Sequence, residues 1–291
     1  MTDNVSTVYR TSPVKRVRRT KEQIATLDTV IYQVAEIDQP LTVRSIFYRV
    51  VSAGAVEKTE KSYNAVQRRV LAMRRTGTLP YSWIADGTRW QIKSTTWGSV
   101  EDMLSAAAVS YRRALWLDQD VHVEVWSEKD ALASVISGVT RDLDVPLLVA
   151  RGFASETFLY STAQQIIGTG KPAVIYQLGD HDPSGVAAWQ HTQDRLRDFA
   201  PGVDLTFERL AVTSAQIDTF NLPTRPTKQT DSRARNFTGE SVEVDALPSP
   251  VLRELVRSAV ESWLDPHQLD LTRAAERSER ELLTLIRGDV A

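Results

Sequence analysis

Residues 178–185 read Leu178-Gly179-Asp180-His181-Asp182-Pro183-Ser184-Gly185, directly after the apolar run Ala173-Val174-Ile175-Tyr176. A short apolar run bounded by a turn signal predicts a buried strand. A D-x-D pair at the end of that strand sets two carboxylates within reach of one divalent cation, and magnesium favours such oxygen donors. Pro183 and Gly185 fit a tight turn that aims both aspartates one way. His181, between them in a period-two segment, is expected to point away. Upstream, Val121–Trp126 (VHVEVW) alternates as a second strand, and Glu128 follows it. The plainer alternative is a loop D-x-D that caps the next helix.

Working outward, strand and helix patterns alternate. Strands are expected at Val121–Trp126, Pro146–Ala150, Ala173–Leu178 and Leu205–Val212, and helices at Lys129–Leu143, Ser155–Ile167 and Val186–Phe199. That alternation predicts the α/β class, a parallel Rossmann-like sheet with helices on both faces. Sites in such sheets lie at the carboxyl ends of the strands, where Glu128, Asp180 and Asp182 fall. Lys129 and Asp130 read as a helix start, and Glu156 as a first-turn carboxylate. Residues 223–248 read as an extended loop with a short strand at Glu243–Leu247. There Asp231, Glu243 and Asp245 either extend the acidic site or are loop and strand-end carboxylates, the reading favoured here. Helices are expected at Ser249–Leu264 and over 265–289.

The front of the chain has a different pattern. Residues 1–19, with Arg10, Lys15, Arg16, Arg18 and Arg19, read as a flexible basic arm. Thr20 and Thr42 are candidate caps for two helices, one carrying Ile24, Leu27, Ile31 and Val34, the other running to about Gly54. A third helix fits Tyr63–Thr76, and the segment 79–92 resembles a hairpin. Three helices and a hairpin make a winged-helix domain over residues 20–98, a module that docks in a DNA groove. A helix from Ser99 to about Leu115 would link it to the second domain, 99–291, with its helical extension. Arg68, Arg69, Arg74 and Arg75 on the third helix are candidates to hold the backbone of double-stranded DNA.

Arg44 and Tyr48 are four apart and share a helix face. A tyrosine hydroxyl can attack a phosphodiester, and an arginine beside it can hold the scissile phosphate bidentately. The alternative is a core tyrosine with a solvated Arg44. Charge separates along the chain in the same sense: residues 1–75 hold 14 Lys/Arg against 7 Asp/Glu, the remainder 21 against 30. With no cysteine, disulfides and thiolate metal sites are excluded. No run approaches the roughly 18 apolar residues of a membrane span. No signal-peptide core is present, so a cytoplasmic protein is expected.

These segments together resemble the family of the topoisomerase VI A subunit and the meiotic double-strand-break transesterase. VRSIFY (43–48) is similar to that family's R-x-x-[FY]-Y motif, VEVWSEKDAL (123–132) to its Toprim glutamate segment, and IYQLGDHDPSGV (175–186) to its D-x-D-P-x-G segment. The resemblance implies a winged helix followed by a Toprim domain, Tyr48 as nucleophile and Arg44 as phosphate contact. It also implies magnesium on Glu128, Asp180 and Asp182. A homodimer follows, in which each tyrosine meets the partner's Toprim metal, as does a 5′-phosphotyrosyl intermediate. Arg151–Glu156 departs from the family's pattern, and no G-x-x-x-x-G-K-[ST] is present, so full strand passage would need a separate ATPase chain. The segment 209–264 is similar instead to compact Toprim proteins of phages and mobile elements. A hydrolytic Toprim nuclease and a non-catalytic DNA-binding regulatory protein are the other readings open at this point.

Overall fold

The structure, a computed structural model, describes residues 19–85, 94–226, 237 and 239–290. Of the expected basic arm, residues 1–18 lie outside the described residues, as do 86–93 of the expected hairpin and the 227–236 stretch with Asp231.

Three helices come first among the described residues: α1 (Lys21–Asp38), α2 (Val43–Ser52) and α3 (Glu60–Arg75). Each starts on a threonine whose hydroxyl accepts a backbone N–H of the first turn, Thr20 from Gln23, Thr42 from Ser45 and Thr59 from Ser62. Leu27, Ile31, Ile46, Val50, Val66, Val70 and Met73 are buried between them. The segment after α3 forms no hairpin in its described part. Tyr81–Trp83 is a 3-10 turn, and Ile84 bridges to Leu41 ahead of α2. Pro80 interrupts strand geometry there, and the Leu41 N–H is taken by the Trp83 carbonyl at 3.1 Å.

Helix α4 (Val100–Ser110) is shorter than expected. The Arg280 guanidinium takes the Tyr111 carbonyl at 2.9 and 2.6 Å, which helps hold the chain in an extended course just past the helix. The α/β part follows: β1 (His122–Ser127), α5 (Asp130–Asp142), β2 (Leu147–Val149), α6 (Glu156–Thr169), β3 (Ala173–Leu178), α7 (Pro183–Phe199) and β4 (Leu205–Ala211). A short α8 (Ser214–Thr219), which carries too few residues to show a period, then leads to α9 (Ser249–Glu261) and α10 (Pro266–Val290). No described helix is long and apolar enough to cross a membrane.

The four strands form one all-parallel sheet in the order β2-β1-β3-β4. Burial on both faces explains why β3 is apolar from Ala173 to Tyr176 rather than alternating, with Gln177 its one polar residue. One face packs Val123, Val125, Val174 and Tyr176 against Leu132, Ile136 and Val139 of α5 and Leu252, Val256 and Val260 of α9. The other packs Trp126, Ile175 and Ala173 against Leu159 and Ile166 of α6 and Trp189 and Leu196 of α7. The first of these cores continues without a break into the buried residues of α1, α2 and α3. The three helices are therefore seated on the same side as α9, and this seating sets α2 over the carboxyl ends of the strands.

Candidate functional site

Glu128 leaves the end of β1, and Asp180 and Asp182 leave the end of β3, which pairs with β1 up to Ser127 and Leu178. The parallel register alone brings the two loops side by side. The Glu128 carboxylate accepts the Asp180 N–H at 2.9 Å. Asp182 is the N-cap of α7, accepting the Gly185 N–H at 2.8 Å, with Pro183 at the first helical position. Gly185 is required by a close approach. A Cβ there would meet the Asp180 carbonyl oxygen at 2.6 Å and the Glu128 carboxylate at 3.1 Å. His181 turns away, pairing its backbone with Val242 and setting its ring 5.0 Å from that of Phe237.

The centre of the cluster is a residue the sequence reading assigned to a helix start. The Lys129 ammonium lies 2.7 Å from Asp180, 2.9 Å from Asp245 and 3.2 Å from Glu243. Glu243 and Asp245 come from the turn before α9, which is a 3-10 turn, Val244–Ala246, and not a strand. Its geometry is set by the site itself. Asp180 Oδ1 accepts the Val244 N–H at 2.9 Å, and the Ala246 N–H closes on the Glu243 carbonyl at 3.0 Å. Both carboxylates are buried, Asp245 at 0% exposure. The reading of them as peripheral loop carboxylates is thus corrected.

Helix α2 lies against the same turn. Arg44 pairs with the Glu243 carboxylate and reaches Asp245 at 3.7 Å. Tyr48, one turn along, is 3% exposed and lies near enough to Glu243 for each to shift the other's ionisation. The Lys58 ammonium stands 5.3 Å from the Tyr48 ring centre, and Arg225 bridges Asp182 at 3.4 Å and Glu243 at 3.6 Å. From behind, the Arg209 guanidinium donates to the Asp180 carbonyl. Tyr48 therefore meets the strand-end cluster of its own chain.

Charge in the cluster follows from burial and pairing. Burial alone would raise the Glu243 carboxyl. The Lys129 ammonium and Arg44 guanidinium, with the Tyr48 hydroxyl, outweigh that and hold it at about 2. Burial, reinforced by the Glu243 charge, pushes Tyr48 up to about 12. Burial also raises Glu128, where the neighbouring Asp180 adds to it, and raises Asp180, where Lys129 opposes it. Burial lowers Lys58 below the ordinary lysine value. Lys129 is raised despite its burial, because Asp245, Asp180 and Glu243 surround it.

The donor set is chemically suited to a hard divalent ion, being all carboxylate oxygen. Its arrangement is not. Glu128 is occupied by a backbone N–H, Asp182 by a helix cap, and Asp180 by Lys129 and Val244. Among the described residues no group of three or more acidic or imidazole side chains is placed to hold a metal ion. A lysine ammonium supplies the positive charge at the point where the carboxylates come together.

The arginines expected along α3 divide. Arg69 is bound to Asp28 of α1 at 2.7 and 2.5 Å, and Arg74 lies 4.3 Å over the Tyr81 ring. Arg68 and Arg75 are exposed. Glu156 is paired with Arg195 on the surface, away from the network just described. The separation along the chain explains why the cluster is hard to read from sequence: Lys129 meets Glu243 across 114 residues, and Arg44 meets it across 199. The one local signal was the alternation of Glu243 and Asp245 in VEVD.

No family model matches this chain, and no curated protein matches it. What supports a functional reading is therefore the motif resemblance and the site's own geometry.

Proposed function

We propose that this protein cleaves double-stranded DNA by transesterification, with Tyr48 as nucleophile. The observation that carries the reading is the single network joining Tyr48 and Arg44 of α2 to Glu243, Lys129 and Asp180 at the strand ends. A nucleophile, a proton acceptor and cations for phosphate are brought together in one place. In the reaction, the Tyr48 oxygen bonds to phosphorus and the bond from phosphorus to the 3′ oxygen breaks. The hydroxyl proton passes to the Glu243 carboxylate, the 3′ oxygen takes a proton from water, and a 5′-phosphotyrosyl end remains. Arg44, half exposed, holds a non-bridging oxygen, and Lys58 and Arg225 stand beside it for the flanking backbone. Arg68 and Arg75 add sequence-independent backbone contacts on α3. The winged-helix and Toprim assignments, a homodimer, a separate ATPase chain and a requirement for magnesium, which Glu128, Asp180 and Asp182 could meet only once freed of their present partners, belong to this proposal. No step above runs through a metal.

The test is cleavage of supercoiled plasmid, with magnesium or with a chelator, stopped with detergent and divided into samples with and without protease. DNA that enters the gel normally only after protease carries a covalent protein link, and Tyr48→Phe abolishes it. Cutting by Tyr48→Phe at the wild-type rate overturns the reading. A second reading, hydrolysis by an activated water with Tyr48 in a structural role, is favoured by one observation. Tyr48 is buried with a hydroxyl held far from ionisation, which makes it a weak nucleophile until something exposes it. Free ends without protease would select that reading.

A further inference from the structure

Glu243 binds the two residues the cleavage reading needs most. Its carboxylate pairs with the Arg44 guanidinium and lies close enough to Tyr48 to disfavour ionisation of its hydroxyl, while Lys129 at 3.2 Å and Arg225 at 3.6 Å hold it in place. A carboxylate and a phosphate compete for the same fork of guanidinium donors. Arg44 is 46% exposed along its side chain, so solvent and ligand reach it from outside, whereas Glu243 at 8% approaches it from within. Tyr48, on the inner side, is buried at 3%. The DNA phosphate that Arg44 is expected to grip would thus find its binding partner already taken by an internal anion.

We infer that Glu243, besides accepting the proton in the proposed reaction, occupies the phosphate place at Arg44 in the free protein and holds Tyr48 inward until a DNA phosphate displaces it. This rests on the cleavage reading and assigns it a built-in barrier. An anion of the right geometry draws Arg44 off Glu243, and the freed carboxylate is then left to Lys129, Arg225 and the Tyr48 hydroxyl. Binding energy from the phosphate is spent on opening the pair, so unspecific contact with weaker anions leaves the tyrosine covered. The turn Val244–Ala246 that carries Glu243 is tied to Asp180 through the Val244 N–H, so the displaced carboxylate stays beside the reacting group.

Two measurements test this. The first is duplex DNA affinity by fluorescence anisotropy for wild type and Glu243→Gln, with Glu240→Gln as a control that removes the same charge from an exposed position. Glu243→Gln is expected to bind on the order of tenfold tighter, because one charge-assisted contact is released for phosphate. Glu240→Gln is expected to change affinity by less than about twofold, and the gain must vanish in an Arg44→Ala background. Equal tightening in the two glutamine variants, or tightening that survives Arg44→Ala, overturns the inference. The second needs no DNA. A trifluorotyrosine at position 48, whose titration lies near neutrality, is followed by fluorine NMR. Glu243→Gln is expected to move that titration to lower pH, and an unmoved titration overturns the contact. If wild type binds no DNA, the cleavage reading fails, and the fluorine titration alone decides what Glu243 holds.

Discussion

Replacing Lys129 by methionine removes the only ammonium at the centre of the described cluster while nearly conserving side-chain volume. The wild-type ammonium sits 2.7 Å from Asp180, 2.9 Å from Asp245 and 3.2 Å from Glu243, and Asp245 is fully buried. Removing one partner of a buried ion pair leaves the other as an uncompensated charge, at a cost of about 3–5 kcal/mol. Arg44 still reaches Asp245 at 3.7 Å and pairs with Glu243, which places the expected loss near the lower end, about 3 kcal/mol at neutral pH. The loss should depend on pH. Without Lys129 the cluster relieves its charge by taking up a proton, so the folded form binds more protons than the unfolded one. A group raised in the folded state stabilises below its unfolded value and loses that contribution as pH rises through the raised one. The variant is therefore closest to wild type in mild acid and falls away toward neutrality, by at most about 1.4 kcal/mol for each pH unit in that window. Urea unfolding followed by tryptophan fluorescence across that range measures it, with Lys129→Arg as the charge-conserving control. A loss below about 1 kcal/mol that does not change with pH would refute the reasoning, because it would place the ammonium in solvent rather than among the carboxylates.

Other outcomes follow from the same geometry. Glu243 is held at about 2 in the folded protein against about 4.5 unfolded, so it contributes about 3 kcal/mol above pH 4.5 that is lost as pH falls toward 2. Glu243→Gln should flatten that part of the acid limb in urea titrations, and an unchanged limb would mean the carboxylate is not paired as described. Gly185→Ala places a methyl group 2.6 Å from the Asp180 carbonyl oxygen, a clash with backbone costing about 1–3 kcal/mol. A melting temperature equal to wild type would show that the first turn of α7 has room to move.

Much of the α/β part is legible from the chain. The period-two and apolar runs placed all four strands, and β3 was found at its full extent, because burial on both faces leaves an apolar run from Ala173 to Tyr176. The threonine caps of α1 and α2 were local signals and stood where expected, whereas Pro183–Gly185, read as a tight turn before a helix from Val186, are the first turn of α7, capped by Asp182. The strand expected at 243–247 was misjudged, whereas the hairpin expected over 79–92 lies partly outside the described residues and shows only a 3-10 turn, Tyr81–Trp83, in its described part. In both segments backbone groups pair with partners distant in sequence: the Trp83 carbonyl accepts the Leu41 N–H, the Ala85 N–H donates to the Leu41 carbonyl, and the Val244 N–H donates to Asp180 Oδ1. No window of residues contains that information.

The residue types at the strand ends, Glu128, Asp180 and Asp182, and the Arg44–Tyr48 pair on one helix face, were determined by the sequence by itself, since each depends only on position within a strand or a helical turn. What those groups touch was decided only by the tertiary structure. Seating α2 and the 243–245 turn over the ends of β1 and β3 set Lys129 among the carboxylates and gave Tyr48 and Arg44 a shared partner in Glu243. A charged group's state is set by the summed field of its neighbours and by its exclusion from water, and those neighbours are assembled only when segments 114 and 199 residues apart fold together.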